Sequence, residues 1–111
     1  MKIKYSFNEA FPFGWSGIKG WAYNSKGDFS GASAAVFEVD GAHGKVQTSL
    51  SDRIYYVIEG RGEFFVGKEV VPVRSTDVVI IPRDTEYDYK GEIKLFLVHT
   101  PAYDDEYEIR F

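Results

Sequence analysis

Between Arg53 and Gly67 the chain reads Arg-Ile-Tyr-Tyr-Val-Ile-Glu-Gly-Arg-Gly-Glu-Phe-Phe-Val-Gly, and this stretch limits the fold more than any other. Ile54 to Ile58 are all β-branched or aromatic, the types that suit a pleated, mostly buried surface, so the run predicts a strand. Gly60-Arg61-Gly62 predicts a tight turn, because glycine reaches positive φ without steric cost. Glu63 to Val66 then returns as the second strand of a hairpin, and Gly67-Lys68 opens the next turn.

The same alternation of short apolar runs and turn residues continues in both directions. Residues 2–7 alternate polar and apolar and predict a short half-exposed strand. Residues 8–14, with Pro12 and Gly14, read as loop. Trp15, Ile18, Trp21 and Tyr23 form an aromatic run in which Gly17 and Gly20 mark bulges or close backbone approach. Residues 29–40 predict a strand with Ala35, Phe37 and Val39 on one face and Ala34, Val36, Glu38 and Asp40 on the other. Further strands are expected at 45–50, 69–73, 78–82, 86–90 and 93–100, with turns at 41–44, 74–77, 83–85 and 91–92. Pro101 ends the last of these, and residues 103–111 form an acidic, aromatic tail expected to pack back as a final strand. About eight to eleven short strands without sustained helical periodicity predict an all-β sandwich or barrel.

At 111 residues, 44% of them hydrophobic, the chain suffices for one domain with its own core. The net charge of −4, with no Lys/Arg cluster, argues against nucleic-acid binding. With no cysteine there are no disulfides, zinc-thiolate sites or thiol nucleophiles. No secretory leader is visible at the N-terminus, and no apolar run approaches the ~20 residues that span a bilayer. A cytoplasmic protein without membrane contact is expected.

Two stretches resemble the two motifs of the cupin superfamily: Tyr56-Val57-Ile58-Glu59-Gly60-Arg61-Gly62, and Thr76-Asp77-Val-Val-Ile-Ile-Pro82 continuing to Tyr87. Leu97 to Asp104 is similar to the end of a small single-domain cupin. The resemblance implies a jelly-roll barrel (a double-stranded β-helix) with its motifs within residues 41–105, preceded by strands in 1–40 and followed by a tail at 106–111. It also implies a homodimer, a pairing to which the aromatic N-terminal residues Phe11, Phe13, Trp15 and Trp21 lend weight.

Most cupins hold a divalent metal, but by the resemblance the ligand positions fall here on Val46, Thr48, Arg53 and Tyr87. Valine cannot ligate, and arginine keeps its proton and repels a cation. A register shift of one residue offers Gln47, Ser49 and Asp52, with a single hard ligand among them. The expectation is therefore a barrel without metal or cofactor.

If Arg53 takes the inward phase, Tyr55 and Val57 point the same way. Thr48 then faces them, and Tyr87 and Tyr89 join with Thr85 on their phase. A guanidinium, three phenols and a hydroxyl around an apolar floor suit a small polar or anionic molecule such as a sugar or organic acid. Thr48, Arg53, Tyr55, Tyr87, Tyr89 and His99 are the candidate ligand contacts. One alternative is a metal-free sugar isomerase or epimerase, with His99 as base and Tyr87 or Tyr89 as acid. Another is a filled structural barrel that dimerises without a ligand. His43, in its Gly-flanked turn, reads as an exposed or turn-capping histidine. A site joining His99 to Asp77 or Asp52 is a further option, whereas Asp104, Asp105, Glu106 and Glu108 read as a solvated run.

Overall fold

A computed structural model describes all of residues 1–111. Nine strands form one curled antiparallel sheet: β1 (Phe11–Trp15), β2 (Ile18–Ala22), β3 (Ser33–Ala42), β4 (Val46–Thr48), β5 (Asp52–Val66), β6 (Glu69–Arg74), β7 (Val78–Ile81), β8 (Tyr87–Thr100) and β9 (Glu108–Arg110). The order runs β1-β2-β3-β8-β5, with β7 along the first half of β5 and β6 along the second. Beyond the end of β3, β4 meets β8 at Val46 and Tyr87 and carries β9 on its other edge. The tail thus packs back as a strand, as expected.

Gly60-Arg61-Gly62 is not a turn, which corrects the hairpin reading. β5 passes through it as one 15-residue strand, and β8 passes through Gly91 as one 14-residue strand. The two pair along nearly their whole length, with a bulge between Val57 and Glu59, and place Gly60 opposite Ile93 and Gly62 opposite Gly91. A Cβ on Gly60 would collide with the Glu92 carbonyl oxygen, and one on Gly62 with that of Lys90. The glycines let this two-stranded ribbon bend over itself. Tyr55 and Phe64 would be roughly 30 Å apart along a straight strand, yet their ring centroids lie 5.2 Å apart.

Two glycine replacements separate crowding from backbone strain. Gly60 (φ +90°) is crowded, whereas Gly67 (φ +60°) has open space around it. Gly67→Ala is expected to cost only the left-handed penalty of about 1–2 kcal/mol. Gly60→Ala adds a backbone collision and should lose more stability by urea unfolding, and equal losses would contradict the bent ribbon.

The first 15 residues also differ from expectation. Residues 2–6 form no strand, a 3-10 turn occupies Phe7–Glu9, and β1 lies where a loop was predicted. Pro12 is tolerated there because β1 is an edge strand that pairs with β2 alone. Alternation was the better guide in the barrel wall. Ala35, Phe37 and Val39 of β3 face inward with Val57, Ile81, Leu95 and Leu97, forming one core.

Candidate active site

Arg53 lies on the inward phase of β5 and is 3% exposed. Its Nε donates to His99 Nε2 at 2.8 Å, and a terminal nitrogen donates to Glu108 Oε2 at 2.6 Å. Glu108 reaches it from β9, and both side chains of this ion pair are almost fully buried. Glu108 is thereby corrected from solvated tail to barrel floor. Burial works against the guanidinium's charge, but Tyr87, Tyr55 and Glu108 more than offset that, so the group stays a fixed cation. It also sits 5.2 Å from the centroid of the Tyr87 ring.

Above this floor stand the three inward tyrosines. The Tyr55 and Tyr87 hydroxyls share a hydrogen bond of 2.6 Å. The Tyr89 ring stacks on Phe64 at 4.9 Å, and its buried hydroxyl makes no hydrogen bond of good geometry, with the Tyr55 hydroxyl as its neighbour. Burial pushes the Tyr55 phenol up to about 12 and those of Tyr87 and Tyr89 well above their ordinary value. All three are therefore protonated at neutral pH and can donate.

His43 is the residue the sequence reading undervalued. It occupies the break between β3 and β4, where its N–H donates to the Tyr89 carbonyl at 2.8 Å. The Trp15 Nε1–H donates to the His43 carbonyl, and the Gly44 N–H donates to Asp88 Oδ1, so the break is held on three sides. The imidazole lies 4.6 Å from the Tyr89 ring, 6.1 Å from Tyr87 and 5.2 Å from Trp15. Its Nδ1 is 2.7 Å from the Gly44 carbonyl oxygen, a contact that requires the proton on Nδ1 and leaves the Nε2 lone pair free. Burial lowers its pKa, which keeps it neutral. Only a tertiary contact could have found it, since nothing in Gly41-Ala-His-Gly44 marks a site.

The remaining candidates are placed as follows. Thr48 is inward and buried, and its hydroxyl accepts from the Leu50 N–H. His99 is 7% exposed, and burial, then the Arg53 charge, hold its pKa down to about 3. Its Nε2 lone pair already accepts from Arg53, and its ring contacts Tyr103, so it has no free lone pair for Tyr87 or Tyr89. Asp52 binds Arg83 and Asp77 caps its own turn, so neither joins His99. Two surface grooves of about 730 and 700 Å³ flank Gly60–Glu63, and neither includes a residue of the tyrosine cluster.

The low pKa of His99 makes a stability prediction. Between about pH 6.5 and pH 3 the unfolded chain binds a proton at this position that the folded chain does not. Stability therefore falls as pH falls through that window, by about 1.4 kcal/mol per pH unit for one such group. His99→Gln keeps an acceptor for Arg53 and should remove that share of the slope between about pH 6.5 and pH 4.5 in urea titrations. An unchanged slope would contradict it.

The residues at the family's metal positions do not fit a metal. Val46, Thr48, Arg53 and Tyr87 are all buried there, and Arg53 puts a positive charge where a cation would sit. Nowhere in the chain are three or more His, Asp or Glu side chains grouped as a metal site would need.

A bent two-stranded ribbon closing an antiparallel barrel around inward motif residues defines a cupin barrel. Solved structures bear this out, and the chain has the cupin barrel fold. The structure of Pac13, described as a nucleoside dehydratase, is 29% identical with a TM-score of 0.90, covering 100% of this chain and 93% of that one. A variant of the Streptomyces protein, with a histidine replaced by glutamine and with uridine, is 27% identical with a TM-score of 0.92, covering 100% and 92%. KdgF from a Halomonas species has a TM-score of 0.81 at 18% identity over 96% of this chain and 99% of that one, a likeness of fold alone. No protein-family model and no curated protein matches the chain.

Proposed function

We propose that this chain is a metal-independent lyase that removes water from a nucleoside, with His43 as general base and Tyr89, beside Tyr55, as proton donor. One observation carries the reading: a neutral imidazole with a free Nε2 lies against a buried tyrosine whose hydroxyl makes no hydrogen bond of good geometry. Elimination of water needs this pair of roles, one group to take a carbon-bound proton and one to protonate the departing hydroxyl.

His43 Nε2 takes the proton from a C–H beside a carbonyl, and the electron pair of that bond forms the new C=C. The C–O bond on the adjacent carbon breaks, and the hydroxyl leaves as water with a proton from Tyr89. A neutral imidazole requires the neighbouring carbonyl, because an unactivated sugar C–H is far too weak an acid.

Similarity to Pac13 supports the substrate class. Variants of that protein at one histidine and at two tyrosines are solved with uridine. This chain likewise groups one histidine, His43, with Tyr89 and Tyr55. Arg53, two of whose nitrogens are engaged by His99 and Glu108, argues against a carboxylate or phosphate held in a bidentate grip. Incubation of chelator-treated protein with carbonyl-bearing uridine derivatives should yield a product lighter by one water. Turnover that appears only on adding a divalent metal would overturn the reading.

A second reading, a filled barrel that takes no ligand, is favoured by the near-complete burial of Tyr55, Tyr87 and Tyr89. No saturable uridine binding and no loss of water would select it. A homodimer and a cytoplasmic setting belong to the same proposal. No helix is long and apolar enough to cross a membrane.

A further inference from the structure

The hydroxyls of Tyr55, Tyr87 and Tyr89 hold a proton each, and the barrel engages one of the three. Tyr55 and Tyr87 share a hydrogen bond of 2.6 Å, in which one hydroxyl donates and the other accepts. The accepting hydroxyl keeps its own proton free. So does Tyr89, whose hydroxyl makes no hydrogen bond of good geometry. Dehydration beside a carbonyl has two oxygens to serve. One is the departing hydroxyl, which takes the Tyr89 proton. The other is the carbonyl oxygen. Negative charge collects there as His43 removes the neighbouring C–H proton, and drains away as the C=C forms and the C–O bond breaks. A donor aimed at that oxygen lowers the barrier.

Position decides which hydroxyl of the pair keeps its proton. Tyr55 stands in the middle, its ring centroid 5.9 Å from that of Tyr87 and 5.6 Å from that of Tyr89. Tyr87 stands on the far side, with the Arg53 guanidinium 5.2 Å from its ring centroid. His99 and Glu108 hold that guanidinium in place. A cation against the Tyr87 ring draws electron density from the phenol and makes its O–H the stronger donor. The acidities follow the same order. Burial raises both phenols, and their shared bond then lowers Tyr55, as an acceptor, and raises Tyr87, as a donor.

We infer that Tyr87 is a positioning residue for the dehydration proposed above: by donating to Tyr55 it directs the Tyr55 proton onto the carbonyl oxygen of the substrate. Tyr87 acts through Tyr55 and does not touch the reacting atoms. Without it the Tyr55 hydroxyl is free to turn, and its proton has the neighbouring Tyr89 oxygen as an alternative. With it, Tyr87 donates to Tyr55 and Tyr55 to the substrate, and each bond polarises the next.

Three measurements distinguish this role from packing. With a carbonyl-bearing uridine derivative, Tyr87→Phe should lose kcat at least about tenfold and keep KM within about twofold, because the charge on the oxygen exists only in the transition state. Uridine has no carbonyl on its sugar, so its dissociation constant should be the same for Tyr87→Phe and the natural chain, which also shows that the variant folds. A ring-fluorinated tyrosine at position 87 keeps the shape and is a more acidic donor, so its kcat should hold or rise. An undiminished kcat in Tyr87→Phe, a loss confined to KM, or a slower fluorinated protein would overturn the inference while the natural chain still releases water. A natural chain that releases no water from any such derivative would overturn the dehydration reading, and this role of Tyr87 with it.

Discussion

Tyr89→Phe is expected to abolish most turnover while leaving the protein as stable as before, or slightly more stable. The Tyr89 hydroxyl is buried and makes no hydrogen bond of good geometry, so the fold carries its desolvation cost and gains little in return. As a proton donor to the leaving hydroxyl it contributes to the rate a factor of about 10²–10⁴, the usual range for general acid catalysis. His43→Gln should lower turnover by a similar factor, since glutamine offers no comparable base. Tyr55→Phe behaves differently. It strands the Tyr87 hydroxyl, so it should cost about 1–3 kcal/mol of stability as well as rate. Measuring kcat alongside the urea midpoint for all three separates a proton donor from a packing residue. A Tyr89→Phe protein that loses stability but not rate would assign Tyr89 to the core alone.

Breaking the buried ion pair should have the largest effect on the fold. Glu108→Gln leaves the Arg53 charge in the barrel floor without its carboxylate, and breaking such a pair costs about 3–5 kcal/mol. That is a large share of the 5–15 kcal/mol that typically holds a domain folded. Replacing both partners, as Arg53→Met/Glu108→Leu, should recover much of the loss because no charge is left buried. The four proteins form a double-mutant cycle in urea. Single and double losses that simply add would mean that the 2.6 Å contact contributes no coupling. The pair also fastens β9, which otherwise joins the sheet only through β4.

The sequence made some of this visible and concealed the rest, for physical reasons. Alternation along β5 and β8 sufficed to place Arg53, Tyr55, Tyr87 and Tyr89 inward, because side chains in a strand change face at every residue. The same local rules misread Gly60-Arg61-Gly62. Glycine there serves close approach to the β8 backbone, and a turn and a bend ask for the same residue. Glu108 looked like one more charge in an acidic run, and only the return of β9 to β4 carries it to Arg53. His43 could not be ranked above His99 from the chain alone. The difference lies in which lone pair is already taken, and that is decided by residues far away in sequence.

The central claim is that a site without metal, built on His43 and the buried tyrosines, takes a nucleoside. Its most direct test is a uridine titration of chelator-treated protein, followed through the two histidine ring signals by NMR. The account predicts a saturable shift of the His43 signal, a nearly still His99 signal and no change on adding divalent metal. No saturation, or a shift that requires metal, would contradict it.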